Sequence, residues 1–213
     1  MKVSTLKRLF DIVFSFLGLI LSSWLWALIW LSIILDDGAP VLITQKRVGK
    51  DGKIFKSFKF RSMKKYTLRE KINHQAQSND PRITGIGRLL RRTALDELPQ
   101  LINILRGEMS FVGPRPLLLH EVEVSSQGEN YDIRDVAGYK ERTAVRPGLT
   151  GVAQIYAPRD LPREKKFKYD LFYIKKSNFC LDIKLLLFSF FISFNAAWER
   201  KGRKLRFLNK KTR

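Results

Sequence analysis

Cysteine and histidine are almost absent from this chain. A single cysteine, Cys180, excludes an intramolecular disulfide and fits a reducing compartment. The two histidines, His74 and His120, lie far apart in sequence, which argues against a histidine-rich zinc site. Any metal would be a hard cation on carboxylates, most simply Mg²⁺. Acidic residues are also scarce, 20 against 40 lysines and arginines, for a net charge of +20. That field implies a polyanionic neighbour: nucleic acid, an anionic membrane face or a phosphorylated substrate. No recognised nucleic-acid-binding motif is present. The 213 residues, 45% of them apolar, support one domain with room for a membrane appendage.

The appendage is visible at the start. Ile12 to Leu35 is apolar apart from Ser15, Ser22, Ser23 and Ser32. As a helix it would run about 36 Å, enough for a hydrocarbon core of about 30 Å. A cleaved signal peptide fits poorly, because the run is long and no small-x-small site follows. Lys2, Lys7 and Arg8 precede the run, and Lys46, Arg47, Lys50, Lys53, Lys56 and Lys59 follow it. The positive-inside rule asks both ends to stay cytoplasmic. A helix that enters, bends and returns satisfies this; a one-pass anchor is the simpler alternative. Ser22-Ser23 is the candidate bend, since serine hydroxyls bond to preceding carbonyls.

Val41 to Arg61 alternates apolar and polar residues around Gly49-Lys50-Asp51-Gly52, a β-hairpin signal. Its second arm puts Ile54, Phe58 and Phe60 on one register and Lys59 and Arg61 on the other, either a solvated basic face or a phosphate-facing strand. Tyr66 to Asp80 is polar, a helix or a loop, with no visible chemistry.

Residues 91–116, RRTALDELPQLINILRGEMSFVGPRP, carry the most information. Arginines neutralise phosphate oxygens in bidentate fashion. A carboxylate beside them can hold a metal or attack phosphorus. Asp96 and Glu97 fit that role. They equally fit a helix start, with Thr93 as cap and the acids offsetting the macrodipole. Leu98, Leu101, Ile102 and Leu105 mark the buried face of the short helix that follows. Gly113-Pro114-Arg115-Pro116 fixes an arginine with little entropy left to lose. Arg146-Pro147-Gly148 repeats the device. Near the end, Leu181 to Trp198 is apolar with Asp182, Ser189 and Ser193 in one stripe, which favours an interfacial helix over a core helix. The tail from Glu199 to Arg213 carries eight basic residues and one acidic one, suited to anionic lipid headgroups or to a solvated end.

Taken in order, the motifs resemble the bacterial sugar transferase family, the monotopic phosphoglycosyl transferases. They are Lys7-Arg8-Leu9-Phe10-Asp11, Gln45-Lys46-Arg47-Val48-Gly49, Lys59-Phe60-Arg61-Ser62-Met63, Leu95 to Gln100, Met109 to Pro116, Arg146 to Gly151 with Ala153-Gln154, and Tyr169-Asp170 with Tyr173. They span roughly Lys7 to Leu187. The resemblance implies an α+β, mostly helical fold in three parts. Residues 1–36 would form a re-entrant membrane hairpin, and 37–198 a catalytic domain of a small β-hairpin and interfacial helices around the active site. Residues 199–213 would form the basic tail.

It also implies a reaction: transfer of a phosphosugar from a UDP-sugar to a polyprenyl phosphate such as undecaprenyl phosphate, with release of UMP, at the cytoplasmic face of the bacterial inner membrane. This is the first membrane step of surface-glycan assembly. By the same resemblance Asp96 is the nucleophile and Mg²⁺ ligand, and Glu97 completes the pair. Lys59, Arg61, Arg91, Arg115 and Arg146 match positions that contact phosphate. Two departures stand out. Ser22-Ser23 precedes Trp24 where the family has Ser-Pro, and Val152 and Ile155-Tyr156-Ala157 replace the Trp and Asn-Gly usual around Gln154. The chain lacks the extra N-terminal helices of longer members, as a minimal form would. A homo-oligomer is left open. A non-catalytic, membrane-anchored basic protein would explain the charge and the anchor but not the Asp-Glu pair among rigid arginine turns.

Overall fold

A computed structural model of the chain describes residues 5–64, 80–119, 122–124, 130–158 and 161–198. The expectations for the polar segment from Tyr66 and for the basic tail fall outside these residues, apart from Asp80.

The N-terminal apolar run is two helices. α1 (Thr5–Leu21) and α2 (Ser23–Asp37) meet at a 59° bend, and neither alone is long and apolar enough to cross a membrane. The bend falls at the serine expected. Ser22 Oγ donates to Gly18 O at 2.6 Å, capturing a carbonyl of the preceding turn. Trp26 Nε1 then donates to Ser22 Oγ at 3.1 Å, and the Trp26 ring meets Phe60 edge-on at 5.1 Å. A tryptophan one turn on thus braces a bend that has no proline.

Both ends of this pair are tied to the rest of the chain. At the start, Lys7 Nζ reaches Asp182 Oδ2 at 2.5 Å and Val112 O at 3.0 Å. Arg8 donates to Ile104 O and Leu105 O, at 2.7 and 2.8 Å. Asp11, buried, accepts from Ser110 Oγ and from the Phe111 amide, each at 3.1 Å. At the far end Asp36 accepts from the Ile86 amide at 3.0 Å, and Asp37 lies 3.3 Å from Arg61. The Lys-Arg-x-x-Asp motif is therefore a set of anchors as well as a cluster of flanking charge.

β1 (Leu42–Val48) and β2 (Ile54–Phe60) form the expected hairpin, joined by a turn in which Asp51 and Gly52 both take positive φ. The register expectation holds only in part. Phe60 is fully buried against Ile29, Ile33 and Leu90, but Ile54 is 56% exposed and Phe55 is buried instead. The two faces of β2 are covered at opposite ends. α2 packs over Phe60, while Leu101 and Ile104 of α4 (Gln100–Arg106) pack over Phe55. Each such fully buried side chain contributes about 1.5–3 kcal/mol.

α3 (Gly85–Thr93) begins at Thr84, whose hydroxyl accepts from the Gly87 amide at 3.0 Å. Thr93 is not a cap. It is the last residue of α3, and its hydroxyl donates back to Leu89 O and Leu90 O. Ala94, with φ 59°, reverses the chain in the left-handed region. A single 3₁₀ turn, Leu95–Glu97, then leads through Pro99 into α4. The buried face of α4 is Gln100, Leu101, Asn103 and Ile104; Leu98, Ile102 and Leu105 are only half-buried. Arg8 donates to the backbone carbonyl of the last of these.

β3 (Ser110–Val112) pairs in parallel with β7 (Gly148–Thr150). The ladder extends into both rigid turns, with the Gly148 amide on Pro114 O at 2.8 Å and the Gly113 amide on Thr150 O at 2.9 Å. A Cβ on Gly148 would stand 2.0 Å from Gly113 N, so glycine is required for this approach. The two Pro-Gly turns form one unit. β4 (Leu117–Leu118) joins β1, and β5 (Val122–Val124) pairs with β6 (Asn130–Asp132).

Four helices complete the fold: α5 (Tyr139–Thr143), α6 (Val152–Tyr156), α7 (Arg163–Lys176) and α8 (Phe179–Phe194). The polar stripe of α8 faces inward. Asp182 meets Lys7 and Tyr173, Ser189 bonds Thr150, and Ser193 accepts from Trp198 Nε1. Leu187, Phe190, Phe191 and Phe194 face outward and are exposed.

Candidate active site

Asp96 and Glu97 lie on the 3₁₀ turn between α3 and α4, where the αL residue and Pro99 leave no room for a longer helix. β2 brings Lys59 to them. Asn103, fully buried, sets that approach: its amide donates to Lys56 O at 2.8 Å and Glu108 Oε2 at 2.6 Å, and its carbonyl accepts from the Phe58 amide at 3.1 Å. The helix that follows the carboxylates is thereby latched to the strand that supplies the lysine. The joined turns bring Arg115.

The two carboxylates are used differently. Glu97 Oε1 accepts from Lys59 Nζ at 2.6 Å and Arg115 Nη2 at 2.7 Å. Burial opposes its ionisation, but Arg115 and Lys59 outweigh burial and hold its pKa far below the usual carboxylate range. Asp96 is also buried, with Lys59 Nζ 3.9 Å away. Among the described residues, none donates a hydrogen bond to its carboxylate. Burial raises its pKa to about 6; Lys59 counteracts this and the Glu97 charge adds to it. Burial in turn lowers that of Lys59, against the pull of Glu97 and then Asp96. The result is one carboxylate clamped as an anion and one left open beside it.

Both line a cavity of ≈1440 Å³, with Lys59, Arg91 and Arg115. Arg61 and Arg146, expected here, do not line it. Arg61 is fully buried and donates to Gly38 O beside Asp37, where it fastens the end of α2. It lies just past the end of β2, where the chain leaves the strand and Asp37 and Gly38 O take its guanidinium. Arg146 donates to Gly107 O at 2.9 Å, at the end of α4.

Sequence reasoning missed a second cationic lobe. Arg142, Arg163 and Lys166 also line the cavity. Arg142 pairs with buried Asp170 at 2.8 Å, lies 4.7 Å from the Phe167 ring centroid and donates to Arg115 O. It therefore braces the turn that presents Arg115. Burial raises the Asp170 pKa, with Arg142 opposing. Tyr169-Asp170 carried a signal as a motif; Arg142 sits outside any motif and carried none.

Among the described residues no three His, Cys, Asp or Glu side chains gather into a metal cage. With Glu97 engaged by two cations, Asp96 is the carboxylate able to hold a metal. That suits Mg²⁺, which is usually held by one or two carboxylates with substrate phosphate and water.

An open carboxylate walled by lysine and arginine is what chemistry on phosphate esters requires. The chain belongs to the bacterial sugar transferase family, whose sequence model matches residues 2–196. It is 43% identical over 194 residues to the UDP-glucose:undecaprenyl-phosphate glucose-1-phosphate transferase of Escherichia coli (strain K12), covering 89% of this chain and 40% of that protein. It is 40% identical over 186 residues to the exopolysaccharide production protein PSS of Rhizobium leguminosarum bv. phaseoli, covering 85% of this chain and 91% of that protein. It is 36% identical over 195 residues to the undecaprenyl-phosphate galactose phosphotransferase of Salmonella typhimurium, covering 85% and 39%. The chain thus spans well under half the length of the first and last of these.

Proposed function

We propose that the protein transfers a sugar 1-phosphate from a UDP-sugar to a polyprenyl phosphate, undecaprenyl phosphate in bacteria, by way of a covalent intermediate on Asp96. The observation that carries this is the difference within the pair: Glu97 is spent on Lys59 and Arg115, while Asp96 faces the cavity open. In the first step an Asp96 oxygen attacks the sugar-bearing phosphorus of the donor diphosphate. The bond from that phosphorus to the bridging oxygen breaks, and UMP departs with that oxygen. In the second step an oxygen of the lipid phosphate attacks the same phosphorus. The acyl-phosphate bond breaks, Asp96 is restored as a carboxylate, and a polyprenyl diphosphate sugar leaves. One nucleophile serving two bulky partners in turn avoids holding both at once.

Lys59 and Arg115 fix Glu97 and present positive charge to the equatorial oxygens, with Arg91 on the same wall. Mg²⁺ held by Asp96 and the donor diphosphate would neutralise the departing phosphate. Because Arg61 and Arg146 lie away from the cavity, the cradle is Lys59, Arg91 and Arg115.

The anchoring supports the membrane reading. Both ends of the bent pair contact the same catalytic body, Lys7 through β3 and α8, Asp37 through Arg61. A straight span would separate them by about 30 Å. A re-entrant hairpin at the cytoplasmic face of the inner membrane keeps them together. It also leaves the apolar outer faces of α1, α2 and α8 in lipid.

Asp96→Asn tests the reaction. The change is near-isosteric and removes the nucleophile. Turnover is expected to fall at least about 10³-fold, as for loss of a covalent catalyst. Mass spectrometry of the wild type with UDP-sugar and Mg²⁺ but no acceptor should show a phosphosugar adduct that the variant lacks. Near-normal turnover by the variant would end the covalent proposal.

A further inference from the structure

The cavity that holds Asp96 has a charged wall, Lys59, Arg91 and Arg115, and an apolar wall to which α8 contributes Leu186, Leu187 and Phe190. Trp198, just past the end of α8, also lines it. The backbone sets its position. Ala196 takes φ 48°, a left-handed conformation adopted without the freedom of glycine. The Ala197 amide then donates to Ile192 O at 3.0 Å, closing the helix end, and the Trp198 amide reaches Arg92 O on α3 at 3.2 Å. The indole is held as well. Its Nε1 donates to Ser193 Oγ at 2.8 Å, and the ring packs against the cluster of Val152, Ile155 and Ala197. A tryptophan that ends a lipid-facing helix ordinarily sits at the headgroup level. Here the N–H is engaged by the inward stripe of α8 instead.

We infer that Trp198 is the platform on which the base of the nucleotide donor stacks. This assignment rests on the proposed reaction and adds where the far end of the donor lies. A nucleoside diphosphate sugar presents a phosphate pair, which suits the cationic wall, and a flat ring at the end away from the sugar, which suits an aromatic surface. The other aromatic rings lining the cavity are committed elsewhere. Phe10 stacks on Phe14 at 4.2 Å and meets Phe111 edge-on. Phe60 is fully buried against Trp26, and the Arg142 guanidinium stands over Phe167 at 4.7 Å. Phe190 faces outward and is 74% exposed. The position of Trp198 also fits the length of a nucleotide. Arg92 precedes Asp96 by four residues, at most about 14 Å of extended chain. The left-handed Ala94 and the 3₁₀ turn shorten that path. A donor attacked by Asp96 at its sugar-bearing phosphorus can therefore run past Arg91 and lay its base on the indole.

Binding of UMP to the full chain in detergent micelles tests this without turnover. Trp198→Ala should weaken UMP by about 5- to 150-fold, the usual contribution of one base stacked on an aromatic ring. Ribose 5-phosphate, which has no base, should bind the variant as it binds the wild type, and Trp198→Phe should retain most of the UMP affinity. Equal losses for UMP and ribose 5-phosphate, or no loss for UMP, would overturn the platform. Photo-cross-linking with 5-iodo-UMP gives a second reading on the unaltered chain, which holds even if Trp198→Ala misfolds. The adduct should map to Trp198; an adduct confined to other residues, or none at all, sinks the assignment. The phosphosugar adduct on Asp96 judges the reaction separately. If that adduct forms while Trp198→Ala holds UMP normally, the platform alone fails; a Trp198 cross-link without that adduct fails the reaction alone.

Discussion

The start of α1 and the turn before α4 both bury charge, and they treat it oppositely. Around α1, Lys7, Arg8 and Asp11 each find partners: Lys7 takes Asp182 and a carbonyl, Arg8 two carbonyls, Asp11 a hydroxyl and an amide. Before α4, Glu97 is paired twice and Asp96 is left without a donor among the described residues. The contacts around α1 hold elements together, although Asp11 binds through Oδ1 alone and its buried Oδ2 has no hydrogen-bond partner. A buried charge kept in low dielectric without a hydrogen bond is costly, and a fold keeps it where chemistry uses it. The same contrast separates the two arginine turns, since Arg115 faces the carboxylates and Arg146 faces a helix end.

The largest expected break in this comparison is between those two arginines. Arg115→Ala should lower kcat/KM by about 30- to 150-fold, the cost of a lost charge-assisted contact of roughly 2–3 kcal/mol. Arg146→Ala should leave kcat/KM within about threefold and instead lower the Tm by a few degrees, through the lost bond to Gly107. Steady-state kinetics and thermal melts of both variants check this, and equal kinetic losses would erase the distinction.

The next effect is on pH. Only ionised Asp96 can attack, and its folded pKa is raised to about 6. The log of kcat/KM should therefore fall with unit slope as pH drops below about 6. The sign for stability is the reverse. A raised carboxylate pKa means that folding favours the protonated form, so this contribution is present at low pH and is lost as pH rises from the unfolded value near 4 through 6. Asp96→Asn should hence melt no lower than wild type at pH 7, and a clearly lower melt would contradict the burial argument.

In the matched region the readout is stability. Lys7→Met would leave Asp182 buried without its cation, and breaking a buried pair costs about 3–5 kcal/mol, somewhat less here because Lys7 is partly exposed. Denaturant unfolding of the detergent-solubilised chain measures it. A loss under 1 kcal/mol would show that Tyr173 alone satisfies Asp182.

The smallest change concerns the bend. Trp26→Phe keeps the ring against Phe60 and removes only the donor to Ser22, a loss of about 1 kcal/mol. A Tm drop of about 2–4 °C, with activity retained, is expected. No drop would leave the bend to Ser22 and Gly18 alone.

Much of this was legible from local pattern. The hairpin, the bend at Ser22 and the cavity positions of Lys59, Asp96, Glu97 and Arg115 follow from periodicity, turn chemistry and motif order. The misreadings share one cause: a local pattern names a residue's character and not its partner. Arg61 follows Lys59 by two residues on the same basic register, yet the strand's end and the neighbouring Asp37 draw it to Gly38. Thr93 has a cap's spacing, yet Ala94 turns left-handed and makes it a helix end. The α8 stripe was visible, and its inward direction was not, because its partners Lys7 and Thr150 are remote in sequence.

By itself the sequence determined what kinds of group this protein holds: an apolar start with a serine bend, an acidic pair among arginines, and two glycine-proline turns. Periodicity and backbone sterics act within a few residues, so these are written locally. Only the tertiary structure decided which carboxylate is clamped and which stays open. It also decided which arginine meets them, and that the charged wall and the apolar wall enclose one space. Those outcomes depend on Lys59 meeting Glu97 across 38 positions and Lys7 meeting Asp182 across 175. Electrostatics and packing at such separations are fixed by three-dimensional proximity, which no single window of the chain contains.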